Sequence, residues 1–151
     1  MSMNANAKRV INGTFGKLYF EGRLLAHVYK FQMKDNYTRE KVQFCGSLRA
    51  GHKLTNIEGT GSIGMYKVDS MLAMEYGERV RRGDDPELTL MGSLEDPDSY
   101  GRECVAATGV QFDDLTIMDW EAGVLGKVEC PFTFADYEFI DSIGGNRWQS
   151  L

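Results

Sequence analysis

The sequence predicts a mainly β (α+β) fold: two packed antiparallel β-sheets, as a sandwich or barrel, with one flanking α-helix. Three observations predict it. Many short segments alternate apolar and polar residues with period two. Turn-forming residues punctuate them. Only residues 71–82 carry apolar side chains at helical spacing. No repeat, linker or low-complexity stretch divides the 151 residues, so a single domain is expected over 1–151.

In order, residues 1–13 read as a flexible N-terminal arm. Lys17–Leu25 reads as strand, Glu21-Gly22 turn, strand, the second strand continuing through Met33. Lys34-Asp35-Asn36 is a turn signal, and Tyr37–Phe44 is the next strand, with charges that suit a wet wall. Residues 45–56 read as a long polar loop. The helix over 71–82 is capped by Asp69 or Ser70, buries a stripe of Leu72, Tyr76 and Val80, and stops at Gly83. Strands are expected over 87–95, 102–112, 115–120 and 124–134, with a turn at 96–101. In the last strand Val124, Val128, Cys130, Phe132 and Phe134 share one face.

Residues 56–68, NIEGTGSIGMYKV, contain Gly59-x-Gly61-x-x-Gly64, the spacing of a dinucleotide-binding turn. That turn needs a strand before it and a helix after it, so that pyrophosphate sits on the helix N-terminus. Here a polar stretch precedes and strand-forming residues follow. The segment therefore reads as a strand with Ile57, Gly59, Gly61, Ile63 and Met65 on one face, its glycines placed where another backbone comes close.

No other pattern carries chemistry. His27 and His52 have no cysteine or histidine at ligand spacing, so no metal site is expected. Cys45, Cys104 and Cys130 are odd in number, far apart and lack a paired base, which predicts free packing thiols. The acidic pairs lack the spacing of a calcium loop. Nothing resembles a sequence-specific nucleic-acid motif, and no cofactor is implied. No apolar run is long enough to span a membrane and no secretion signal leads the chain, which predicts synthesis in a cytoplasm without stable membrane insertion.

The net charge of −5 hides a polarity. Residues 1–82 hold 14 Lys and Arg against 7 Asp and Glu, whereas residues 83–151 hold 3 against 15. Opposite charge on opposite faces suits head-to-tail self-association. Short strands with open edges must be paired, covered or closed. The residues alone thus describe a β-rich, self-associating chain without an active site.

The order and spacing of several short motifs add to this. They are Asn12–Phe20, Gly51-His52-Lys53, Gly59-Thr60-Gly61, Met65–Val68, Arg82-Gly83 to Pro86, Asp96–Gly101, Phe112–Leu115, Asp119-Trp120 and Pro131–Phe134. Together they resemble the XkdM-like (PBSX-type) tail tube proteins of contractile phage tails and R-type bacteriocins, nearly end to end. The resemblance implies the phage tail-tube fold and hexameric rings stacked into a hollow tube. One sheet from every subunit would join a continuous barrel around the lumen. It implies a tail sheath protein, a tape-measure protein, and baseplate and tail terminator proteins as partners. DNA would pass only as non-specific transit cargo in a phage, and ions in a bacteriocin. The place implied is the virion tail or bacteriocin particle, assembled in the bacterial host cytoplasm.

On this reading strands within 26–44 and 57–68 line the lumen, and the loop 45–56 and the arm bridge subunits. The expected interface or lumen residues are Arg39, Lys41, Arg49, His52, Lys53, Gly59, Gly61, Arg79, Arg81 and Arg82. Two other readings stay open: another ring-forming tail protein of similar fold, such as a tail terminator or baseplate hub, and a monomeric β-barrel that binds a small ligand.

Overall fold

A computed structural model describes residues 7–143. Eight strands and one helix follow in order: β1 (Gly16–Phe20), β2 (Arg23–Leu24), β3 (Val28–Val42), β4 (Gly51–Tyr66), α1 (Met71–Arg81), β5 (Leu88–Leu94), β6 (Glu103–Phe112), β7 (Lys127–Phe134) and β8 (Asp136–Asp141). All pairings are antiparallel. The strand order is β2-β1-β5-β6-β7-β4-β3, with β8 also paired to β6.

The class is as expected, but the two layers are one folded sheet rather than two separate ones. The reason lies in β6. Its residues 104–108 pair with β8, and Gln111-Phe112 pair with β7. Between them Thr108 and Gly109 form a bulge opposite β5, where the register shifts between Leu88↔Val110 and Leu90↔Ala107. Gly109 has φ +65° and lies against Ala135, which links β7 to β8. A bulge with a left-handed residue bends a strand sharply. β6 therefore turns the corner from one layer (β2-β1-β5-β6-β8) into the other (β6-β7-β4-β3).

The core fills the fold between the layers. Leu18, Phe20, Leu88, Leu90, Ala107 and Val110 come from the first, and Ile63, Cys130, Phe132 and Phe134 from the second. Cross-strand rows set the packing of the second layer. Phe112, Phe132, Gly61 and Met33 lie side by side, as do Cys130, Ile63 and Phe31. Gly59 pairs with Phe134 and Gly61 with Phe132. A side chain at either glycine would strike its partner's ring, and at Gly61 also the Gln32 carbonyl. The glycine segment is thus a strand, and the close approach that it serves lies within the subunit.

Several boundaries differ from expectation. The turn signal at 34–36 is overridden: β3 runs through it, because Lys34, Asp35 and Asn36 pair in register with Thr60, Gly59 and Glu58. The strand expected to run from Arg23 to Met33 breaks at Leu25–His27, where Leu25 tucks into the core and its N–H reaches the Leu18 carbonyl. The polar stretch 51–56 belongs to β4, leaving a shorter connection before Gly51. Ile57 is exposed because β4 leaves its partner β7 at Gly59. Residues 115–120 form no strand, and Val124 is exposed rather than on the β7 core face. β8 was not anticipated, its six residues being exposed throughout.

α1 packs on the end of β6. Tyr76 is buried edge-on against Phe112, their ring centres 5.0 Å apart. The Phe112 N–H donates to the Tyr76 hydroxyl at 3.1 Å. Leu72 is partly buried against the core, but Val80 is exposed, so the buried stripe ends a turn early. Asp69 supplies the cap, its carboxylate accepting from the Met71 N–H. Arg23 pairs with Glu75 at 2.6 Å and ties the helix to β2. Of the N-terminal arm, residues 1–6 lie outside the described residues. Beyond them, the Asn12 N–H donates to Asp96 and Arg9 donates to the Asp98 carbonyl.

Candidate assembly surfaces

Four features of the described residues are left without an internal partner of the usual kind. The first is the outer edge of β3. The strand is 15 residues long and pairs on one side only, with β4. Its unpaired N–H and C=O groups form a template for another strand.

The second is the far half of the β3–β4 hairpin. β7 accompanies β4 only over Gly59–Tyr66. Beyond Asp35↔Gly59 the two strands continue alone, through Val42↔Gly51. This two-stranded ribbon brings together five of the expected interface residues. Lys41 pairs with His52 and Glu40 with Lys53; Arg39 lies opposite Leu54, and Arg49 sits in the connecting loop. All five are exposed, and the Arg39 guanidinium rests 5.7 Å over the Tyr37 ring. Tyr37, Phe44, Leu48, Leu54 and Ile57 add exposed apolar surface.

The other expected residues lie elsewhere. Gly59 and Gly61 are core-facing positions beneath Phe134 and Phe132. Arg79 pairs with Asp84 at 3.1 Å and Arg81 with Glu78 at 3.0 Å. Arg82 caps α1, its N–H donating to Glu78 and Val80 carbonyls. Arg79 and Arg81 are therefore occupied within the subunit, and all three helix arginines are separate from the ribbon cluster.

The two faces of the second layer are sharply unlike. Its inner face is the aromatic core. Its outer face carries Lys30, Gln32 and Lys34 from β3, Thr60 and Ser62 from β4, and Glu129 and Thr133 from β7, matched in register. Strict alternation makes this a continuous polar wall.

The third feature is a groove of about 890 Å³ where the fold stands open between β3 and the first layer. Leu24, Phe31, Met33, Val105 and Phe139 give it an apolar floor and sides. Lys17, Lys30 and Lys34 stand along it, with Asp35 and Glu103. Sequence reading missed this groove, since its residues come from seven strands. The fourth is the loop between β6 and β7. Ile117, Met118, Trp120, Val124 and Leu125 are all exposed, Trp120 at 80%. The strands expected over 115–120 and 124–134 had taken in these residues, with Val124 on the shared face of the second.

Among the described residues the reactive groups are packed or paired rather than gathered. Cys104 and Cys130 are buried and Cys45 exposed, all as free thiols. Burial pushes the Cys130 thiol up to about 11, away from nucleophilic character at neutral pH. Burial likewise raises the Tyr76 hydroxyl. His27 faces Asp69 at 3.6 Å. Among the described residues no three His, Cys, Asp or Glu side chains could share a metal ion, and no helix is long and apolar enough to cross a membrane.

Known proteins share this architecture. The chain is 34% identical over 144 residues to the phage-like element PBSX protein XkdM of Bacillus subtilis strain 168, covering 93% of this chain and 97% of that one. Its fold matches a chain of the sheath–tube complex of PVC, an extracellular contractile injection system, in its extended state. The TM-score is 0.72 at 5% identity, over 94% of this chain and all of the other. A chain of the same system's sheath/tube terminator matches with a TM-score of 0.71 at 6% identity, over 87% and 97%. Residues 3–141 match the family described as phage tail tube protein. This chain therefore belongs to the phage tail tube protein family, and is a particle-associated structural protein of phage-like tails rather than an enzyme.

Proposed function

We propose that the chain is the inner tube subunit of a contractile phage tail or tail-like bacteriocin, six copies to a ring and rings stacked into a hollow conduit. The observation that carries this reading is the outer edge of β3, unpaired along 15 residues and flanked by a polar sheet face. Joining such edges around a symmetry axis removes them all at once. The wall of Lys30, Gln32, Lys34, Thr60, Ser62 and Thr133 then lines a wet lumen, which non-specific DNA or ions can traverse. The ribbon from Asp35 to Glu58 projects past the body of the subunit and reaches the next ring. Its Arg39, Lys41, Arg49 and Lys53 meet the acidic residues of the second half of the chain. A tape-measure protein occupies the lumen before use, a sheath surrounds the tube, and baseplate and terminator proteins close its ends.

The likeness to a terminator chain favours a second reading, a single ring that caps a tube. Polymer length separates the two. Negative-stain microscopy of the purified, concentrated protein is expected to show long filaments with a central channel. Single rings that never stack assign the capping role, and a protein that stays monomeric at every concentration ends both readings.

A further inference from the structure

The β3–β4 ribbon and the β6–β7 loop lie at opposite ends of one layer and differ in charge. Residues opposite each other in an antiparallel pair share a face. Tyr37–Ile57, Arg39–Leu54 and Lys41–His52 therefore make three rows on one face of the ribbon. That face continues the aromatic inner face of the second layer. Met33–Gly61 and Asp35–Gly59 precede it in register, and Gly61 and Gly59 lie beneath Phe132 and Phe134. Past Gly59 β7 no longer accompanies β4, and Tyr37, Leu54 and Ile57 are exposed. The three rows hold no carboxylate, and Arg39, Lys41 and His52 make no ion pair among the described residues.

The loop, residues 113–126, is the counterpart. It holds Asp113, Asp114, Asp119 and Glu121 and no Lys, Arg or His. None of these carboxylates makes an ion pair among the described residues. Ile117, Met118, Trp120 and Leu125 are exposed. Both ends of the loop are tied down at the end of the layer away from the ribbon. Leu115 packs against the core, the Gly126 carbonyl accepts from the Lys67 N–H, and Lys127 then pairs with Tyr66. From Tyr66 to Ile57 β4 rises about 30 Å. A loop fixed at Leu115 and Gly126 extends only about 20 Å from its anchors. A subunit therefore cannot lay its loop on its own ribbon.

We infer that the β6–β7 loop of a copy in one ring seats on the inner face of the β3–β4 ribbon of a copy in the next ring. Trp120 and Leu125 lie against Tyr37, Leu54 and Ile57, and the loop carboxylates face Arg39 and Lys41. Aromatic anchors ringed by charge are the usual seat of binding energy at an interface. β8 is a poorer match to the basic face, because Arg102 already pairs with Asp141 and the Tyr137 N–H already donates to Asp136. The contact is heterologous: each copy offers a ribbon at one end and a loop at the other, so rings add head to tail without closing. The opposed charges steer the encounter and fix which end meets which. This inference rests on the tube reading above and adds to it the surfaces that meet between rings.

The experiment exchanges charge between the two surfaces in the full chain. One variant carries Arg39→Glu with Lys41→Glu, a second carries Asp119→Lys with Glu121→Lys, and a third carries all four substitutions. These side chains are exposed in the isolated subunit, so circular dichroism and thermal unfolding are expected to match the wild type. Each reversed pair alone is expected to raise the protein concentration needed for filaments, read by sedimentation, at least about tenfold. The four-fold variant is expected to regain filaments, because opposite charges again face each other. A second measurement needs no charge change. Filaments are assembled from isotopically light and heavy chains carrying p-benzoylphenylalanine at position 54, and this residue is expected to cross-link to residues 113–126 of another copy.

Normal filaments from either reversed pair, or a four-fold variant that stays as defective as its parents, overturn the inference while leaving the tube function standing. Cross-links within one chain, or to β8, to residues 1–6 or 144–151 or to any segment other than the loop, overturn it likewise. A wild-type chain that stays monomeric, or forms rings that never stack, overturns the tube function and the inference together.

Discussion

Gly61 shows how much one missing side chain decides. It sits between Met33 and Phe132, and the Phe132 ring occupies the space where a Cβ would go. Neither the ring, fully buried at 0% exposure, nor the Gln32 carbonyl has room to withdraw. Gly61→Ala is therefore expected to destabilise the folded subunit by about 1–3 kcal/mol or more, as overpacking does. Gly51→Ala is the control, because nothing lies within 4 Å of its added methyl. Urea unfolding of both variants decides the matter, and equal midpoints would refute the packing. Cys130 gives a second residue-scale test. Its thiol is raised to about 11 from 9.0, so above pH 9.0 the unfolded chain releases that proton while the folded one holds it. Stability from this group is whole below pH 9.0 and is lost as the pH climbs to about 11. The slope over that window is about 1.4 kcal/mol per pH unit. Tyr76, raised by burial as well, adds a loss of the same sign. Urea midpoints that stay level across that range contradict a buried Cys130.

At the scale of elements, the β3–β4 hairpin divides into two parts that should behave differently. From Gly59 to Tyr66, β4 is flanked by β3 and β7. From Gly51 to Glu58 it has β3 alone. A two-stranded ribbon without a third partner is marginal in water. Amide protons of the ribbon are expected to exchange far faster than those of Gly61–Met65 in the isolated subunit, and to slow on assembly. Uniform exchange along β4 would count against the division. Leu48, fully exposed at the ribbon's tip, tests its role. Leu48→Asp is expected to shift subunit stability by less than about 0.5 kcal/mol, as surface changes do, yet to shorten or abolish filaments in micrographs. Much of this element was legible in the sequence. Period two found β3 in two pieces and the second part of β4, with the row Gly59, Gly61, Ile63 and Met65. What was not legible was pairing: the polar triplet Lys34-Asp35-Asn36 looks like a turn until Thr60, Gly59 and Glu58 are placed beside it. β8 escaped notice because an exposed strand carries no burial pattern. The loop at 115–120 read as a strand because its apolar residues, destined for the surface, resemble residues destined for a core.

At the scale of the whole molecule, the division between a basic first half and an acidic second half is met in part inside the subunit, by Lys8–Asp98 and Arg79–Asp84, and in part left exposed. The ribbon presents Arg39, Lys41, Arg49 and Lys53, whereas the β6–β7 loop and β8 present carboxylates. Contacts between copies that join these surfaces are screened by salt, the Debye length falling to about 3 Å at 1 M. Turbidity or sedimentation in rising sodium chloride is expected to show polymers giving way to smaller species, and polymer yield unchanged in molar salt would remove charge from the account. The site residues taken from sequence fall into three groups for the same reason. Arg39, Lys41, Arg49, His52 and Lys53 are neighbours because the ribbon folds them together. Gly59 and Gly61 serve the core. Arg79, Arg81 and Arg82 belong to the end of α1, the first two held by Asp84 and Glu78. Sequence distance could not sort them, because each assignment depends on a partner far along the chain or on the far side of a turn.

The corner in β6 has a mechanical meaning. Because a single strand serves both layers, a push on the wet wall travels to the opposite layer along covalent bonds, not merely through side chains that could slide. Neither layer can peel off while the other stays intact. On the proposed tube function, a particle that drives its conduit forward in one stroke would gain from such a brick, whose two layers are held by one shared strand.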